Sequence, residues 1–233
     1  MIAGFAASAV LAMLFILQEA RAQQPMLPLS LFKHRMFAMT SLVGLLVNVA
    51  VYGLIFVFSL YFQGVNHLSP FETGLAFVPM MGAVLPINLV APRIAERIGA
   101  PATIAAGVAL AAAGCVAMLG IQPGTSYWAI CAQLIAVSTG LGLLVPPLTS
   151  TLLGSVEKSR SGIAAGVLNA TRQTGSVLGV ALFGSLIGQS GAFVSGVHAS
   201  LIISAGLLLA AGVAIWWGAS TTRQQAPAAR SAG

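Results

Sequence analysis

Long apolar runs separated by short polar breaks dominate this chain. Seven runs reach the roughly 20 residues that a bilayer crossing needs: 2–18, 38–62, 73–91, 101–121, 127–148, 162–188 and 197–218. In lipid only helices or closed barrels satisfy every backbone group. The runs are continuous rather than alternating, so they predict helices. The fold class that follows is an all-α polytopic membrane protein with about seven transmembrane helices.

Polar residues inside the runs are patterned. In the second run Ser41, Asn48, Tyr52, Ser59 and Gln63 follow spacings of 7, 4, 7 and 4, and at 100° per residue they fall within about 60° of one another. Such a stripe should face protein or water rather than lipid. The fifth run holds Gln133, Ser138 and Thr139, and the sixth holds Asn169, Gln173 and Ser176 on one face with Gly162 and Gly166. The fourth and seventh are apolar through their middles, as lipid-facing helices should be. Phe56, Met80 and Met81 add aromatic and thioether side chains that suit a permissive pocket and serve equally well as packing.

Breaks in the pattern mark joints. Pro79 and Pro86 predict freed carbonyls and a bend in the third run; bent helices often line cavities, although plain packing is as good a reading. Pro146 and Pro147 should stop or kink the fifth helix. Gly140, Gly142 and the pairs Gly162/Gly166 and Gly175/Gly179 permit close helix approach. Residues 19–37 form the longest polar interruption. Pro25 and Pro28 break any helix there, and Pro28-Leu29-Ser30-Leu31-Phe32 reads as a segment on the membrane surface, with Lys33 to Arg35 at the headgroups. The expected organisation is a leading transmembrane helix at 1–18, a cytoplasmic linker at 19–37, a six-helix bundle at 38–218 and a disordered cytoplasmic tail at 219–233.

Composition agrees with lipid as the solvent. Of 233 residues 58% are apolar, 6% are charged and none is Asp, against about 25% charged in soluble domains. A net charge of +6 would suggest a nucleic-acid partner in a soluble protein. Here the basic residues follow topology instead. Arg21, Lys33, Arg35, Arg93, Arg97, Lys158, Arg160, Arg223 and Arg230 all lie in alternate connections, and the intervening ones, 63–72, 122–126 and 189–196, hold no Lys or Arg. By the positive-inside rule the C-terminus is cytoplasmic and the N-terminus outside. Ala20-Arg21-Ala22 looks like a signal-peptide cleavage site, but the n-region lacks a positive charge, and cleavage would leave Lys33 and Arg35 on the wrong side. Cys115 and Cys131 fall inside apolar runs and read as inert thiols. His34, His67 and His198 lie near span ends, and no pair has metal-ligand or catalytic spacing. Neither a cofactor nor an intramembrane enzyme is expected.

Several pieces in order resemble a known family: PMLPLSLFKHRMF before the second run, LSPFETGLAFVPMMG, PRIAERIGA, GLGLLVPPL and SGIAAGVLNATRQTGSVLGVALFG. The chain is similar to the C-terminal part of a major facilitator superfamily transporter, in its fourteen-span drug:proton antiporter branch. The resemblance implies that six of the helices form one half of a major facilitator fold, as two inverted three-helix repeats. The third and sixth helices of the half face lipid and the other four surround the path. It also implies multidrug efflux of small amphipathic or cationic substrates coupled to protons, a plasma-membrane location and a missing N-terminal half that carries most of the coupling acids. Candidate cavity residues are Asn48, Tyr52, Phe56, Ser59, Met80, Gln133, Asn169 and Gln173. Glu96, Arg97 and Gly99, near Arg93, match the start of the family's cytoplasmic gate motif. Ala100 and Pro101 stand where basic residues would follow, so the copy is degenerate and the segment reads equally as an ordinary basic loop.

Arg172 is the basic residue that topology does not explain. It lies twelve residues beyond Arg160, roughly 16–18 Å along a helix. Either it binds an anionic substrate or closes a gate against a carboxylate in the missing half, or it packs between helices, bonded to carbonyls near the Pro146–Pro147 end of the fifth helix or snorkelling to the inner face. No run contains a carboxylate at mid-depth, which favours the structural or gating use. Two functions remain open: a transporter half, and a non-transporting membrane protein that pairs with another bundle.

Overall fold

The computed structural model describes residues 10–11, 13–14, 17–18, 29–122, 124–189 and 193–225. The expected leading helix at 1–18 and most of the linker at 19–37 lie outside them, apart from short helical pieces between residues 10 and 18. A 3₁₀ turn at Leu29–Lys33 leads into α1 (Arg35–Gly64), α2 (Pro70–Ala76), α3 (Val78–Ile98), α4 (Ala100–Ala117), α5 (Tyr127–Gly154), α6 (Ser161–Gln189) and α7 (Phe193–Gln225). No strand occurs among the described residues. Counting α2 and α3 as one pass, five passes are long and apolar enough to cross a membrane. α6 is long enough, but Asn169, Arg172, Gln173 and Thr174 make its first half too polar to be counted with them.

The helix pairings are swapped between the halves of the sequence. α1 packs along α6 and α7, α5 packs along α3 and α4, and α4 and α7 pack on each other. Taking α1–α4 and α5–α7 as two three-pass units, the first helix of each lies against the second and third of the other. This is the pattern that two related units produce when they interlock. α4 and α7 each bury one face, through Ile104, Val108, Ala111 and Cys115 and through Leu201, Ala205, Leu208 and Ala211. Their opposite faces expose Val116, Ile202, Leu209 and Val213, apolar surface suited to lipid.

Backbone approach sets the tightest pairings. With no hydrophobic force between helices in lipid, van der Waals contact at small residues holds them together. A Cβ on Gly179 would collide with the Val49 carbonyl of α1, and one on Gly140 with the Gly107 carbonyl of α4. Gly142 faces Ile87 of α3, and Gly175 faces Leu45 and Asn48 of α1. Gly162 and Gly166, by contrast, face open space.

Three local expectations are revised. The break in the third pass falls at Phe77, just before Pro79, and α3 then runs through Pro86 and Pro92. Pro79 has no N–H for the Leu75 carbonyl, and at the break the Phe77 N–H bonds three residues back, to the Gly74 carbonyl at 3.2 Å. Pro146 and Pro147 do not end α5, which continues to Gly154; Leu148 and Leu152 beyond them are buried, at 1% and 0% exposure. α7 extends to Gln225, so 219–225, which holds neither Gly nor Pro, is helical rather than disordered. The segment after Pro28 is also anchored on the bundle. Leu31 and Phe37 form a small core with Leu152, Ala164, Val167 and Leu168, while Lys33, His34 and Arg35 stay exposed.

The connections at the other end are pinned. Phe58, Tyr61 and Phe62 are fully buried, and Phe62 makes ring contacts with Phe77 and Tyr127. Tyr61 donates to the Gln122 carbonyl at 3.0 Å, Tyr127 donates to the Ala76 carbonyl at 3.2 Å, and His198 Nε2 lies 2.9 Å from the Ile121 carbonyl. These bonds tie α1 and α7 to the connection at residues 121–122, and α5 to the end of α2.

Candidate functional site

A cavity of about 440 Å³ opens between α1, α3, α5 and α6. Its apolar wall comes from Val47, Val51 and Ile55 of α1, Met80, Met81 and Val84 of α3, and Leu141 and Val145 of α5. Four polar side chains complete it: Asn48 and Tyr52 of α1, Asn88 of α3 and Arg172 of α6. Asn48 and Tyr52 are one helical turn apart and therefore share a face. Asn48 Nδ2 donates to the Gly44 carbonyl at 2.7 Å, which leaves its Oδ1 as an acceptor. Asn88 Oδ1 is buried with no hydrogen-bond partner.

Arg172 is partly buried and aimed by a relay. Its Nη2 donates to Thr149 Oγ1 at 2.8 Å, and Thr149 Oγ1 donates to the Val145 carbonyl at 2.8 Å. The Thr149 proton is thus committed to its own helix, and its lone pairs receive the guanidinium. Helical side chains lean toward the helix N-terminus. Arg172 accordingly reaches back along α6 toward the end where α5 finishes, and bridges the two helices across the cavity. Among the described residues Thr149 is its hydrogen-bond partner, and no carboxylate lines the cavity.

Of the expected cavity residues, Asn48, Tyr52 and Met80 meet on this cavity together with Arg172. The others lie elsewhere. Phe56 packs against Gly184 of α6. Ser59 receives Gln63 Nε2 at 3.1 Å near the end of α1. Gln133 donates to the Ala117 carbonyl of the α4 pass at 3.2 Å, which ties α5 to α4, and it is not among the lining residues. Asn169 and Gln173 are exposed on α6 and are not among the lining residues. Arg172 lies about 100° from Gln173 on the helix and takes the inward direction. Asn88 was missed, although a lone amide two residues after Pro86 in an apolar run is a readable signal.

At the end of α3, Arg93, Glu96 and Arg97 are exposed. Gly99 adopts φ 91° and ψ 146° as the cap between α3 and α4, a conformation that favours glycine. Pro101 then sits in the first turn of α4, where a missing N–H does no harm. The local geometry of Gly99 is accounted for by this tight joint between helices.

Fold and cavity together define a multi-pass helical membrane protein with a small-molecule-sized, mixed-polarity chamber between its helices. Residues 1–180 match the Major Facilitator Superfamily profile, and the chain belongs to that family. The methylenomycin A resistance protein of Streptomyces coelicolor is 31% identical over 212 residues, which cover 91% of this chain and 45% of that protein. The puromycin resistance protein of Streptomyces alboniger is 31% identical over 223 residues, covering 87% and 44%. The multidrug resistance protein Stp of Mycobacterium tuberculosis is 31% identical over 174 residues, covering 75% and 32%. The chain therefore spans less than half the length of these relatives.

Proposed function

We propose that this chain is the C-terminal six-helix half of a major facilitator carrier of the fourteen-span drug:proton antiporter branch, exporting small amphipathic molecules across the plasma membrane. The observation that carries the reading is the cavity of about 440 Å³, within the range of small-molecule sites and formed by four different helices. Its Met-rich apolar wall suits loosely specified substrates. The names of the relatives, which speak of antibiotic and multidrug resistance, point the same way. The coupling proton is to be sought outside this cavity, which holds no carboxylate. The basic connections support a cytoplasmic C-terminus.

Cells expressing the full protein test the reading through the accumulation of a cationic, a neutral and an anionic fluorescent dye, with and without a protonophore. Lower accumulation of at least one dye, lost when the proton gradient collapses, is expected. Unchanged accumulation of all three alongside verified membrane insertion would leave the non-transporting reading in its place.

A further inference from the structure

We infer that the cavity selects amphiphiles carrying a carboxylate or a similar anionic group, with Arg172 as the group that binds it, in preference to the cations expected from the family resemblance. The inference rests on the transport reading only for what becomes of the ligand; the binding site stands on its own geometry.

Charge comes first. Arg172 is the charged side chain on a cavity whose wall is otherwise aliphatic, thioether, amide and phenol. A charge at depth in a membrane protein is costly unless it is hydrated or paired. Here its partner among the described residues is a neutral hydroxyl. Glu72, Glu96 and Glu157 are all exposed, near the ends of the helices, and none lines the cavity. An arriving cation would add like charge to a poorly screened site, whereas an anion would neutralise it.

Geometry comes second. The guanidinium is planar and always charged, and its paired N–H groups match a carboxylate bidentately. One nitrogen is spent on Thr149, whose own proton is held by Val145, so the fork is oriented before any ligand arrives. Asn88 Oδ1 is buried without a donor, a condition that buried polar atoms rarely tolerate. Val51, Ile55, Met81 and Leu141 leave the remaining space apolar. The fitting ligand is thus an apolar body with an acid at one end.

The test uses the full protein in lipid nanodiscs and three probes of one shape: 2-naphthoate, 2-naphthamide and 2-naphthylmethylammonium, measured by equilibrium dialysis against empty nanodiscs. Naphthoate should bind about tenfold or more tighter than the other two, as expected for hydrogen bonds to a charged group. Arg172→Gln should erase that advantage and Arg172→Lys should retain part of it, since it keeps the charge without the fork. Thermal melting establishes that each variant is folded. If Arg172→Gln does not survive extraction, the wild-type ranking and Arg172→Lys decide the matter. Ammonium binding as tight as naphthoate, absence of saturable naphthoate binding to folded wild type, or unchanged naphthoate affinity in Arg172→Gln would each overturn the proposal. Tighter ammonium binding in Arg172→Gln with naphthoate unaffected would mean that Arg172 is neutralised by a carboxylate elsewhere in the carrier, and would also overturn it. Counterflow of labelled naphthoate in proteoliposomes separates the two readings, because Arg172-dependent binding without movement would keep the anion site and remove the transport role.

Discussion

Single substitutions can probe the cavity through Arg172 and Asn88, which line it, and through Thr149, which holds Arg172. Replacing Arg172 with Ala should impair transport by the full carrier while membrane insertion and amount stay near wild type, because the side chain faces the cavity. Wild-type efflux from that variant would reduce Arg172 to packing. Thr149→Val keeps the shape of the side chain but removes the acceptor that aims the guanidinium. Transport should fall less than in Arg172→Ala, with the loss appearing as weaker substrate affinity in concentration-dependent efflux. Asn88→Leu removes a buried oxygen that has no partner. It should raise thermal stability, by about 1 kcal/mol on the scale of an unsatisfied buried group, while lowering transport; a destabilised variant would show that the amide is satisfied in the native membrane. In the sequence Arg172 stood out at once as the basic residue outside the topogenic connections. Its partner did not, because a bond spanning 23 positions depends on how two helices are set against each other.

At the scale of helices, the seams between α1 and α6 and between α4 and α5 depend on missing side chains. Gly179→Leu places a branched chain where the Val49 carbonyl sits. It should separate α1 from α6 and abolish accumulation of folded protein, as read by size-exclusion chromatography of detergent extracts. Gly166→Ala, one of the glycines that face open space, should behave as wild type or gain the roughly 0.5–1 kcal/mol by which Ala favours helix over Gly. Loss of folded protein in both variants would mean that the α6 glycines act through something other than contact with α1. All of these glycines look alike in sequence, and only the neighbours that tertiary packing brings decide which of them matter. The prolines divide in the same way. Pro79 marks a real break in the third pass, whereas Pro146 and Pro147 are carried through α5 because the helix beyond them is buried. Local propensity predicts a stop or a kink there, and packing overrides the stop.

For the molecule as a whole, the proposed orientation follows from charged connections and can be checked directly. Cys115 and Cys131 are buried, at 0% and 4% exposure, so native background labelling should be low. In intact cells a membrane-impermeant maleimide should label Ser126→Cys and spare Ser159→Cys until the membrane is opened. The reverse pattern would invert the topology. The swapped pairing of α1 with α6 and α7, and of α5 with α3 and α4, explains why the cavity draws one wall from each of four helices. The lead helix of each unit is enclosed by the other unit, and the space left between them is the chamber.

Hydropathy and charge placement determined by themselves that the chain is helical, spans a membrane and crosses it several times. Those properties depend on how each segment partitions between water and lipid, and that is a sum over local residues. Asn48, Tyr52 and Met80 line the cavity, and they could be singled out in the sequence because polar and soft side chains on an apolar helix have few places to go. Only the tertiary structure decided that Gln133 ties α5 to the α4 pass, that Asn169 and Gln173 are not among the residues lining the cavity, and that Arg172 lines it while bonded to Thr149. These outcomes depend on the rotation of each helix about its axis. That rotation is set by contacts such as Gly179 on Val49, made between residues that are far apart in the chain.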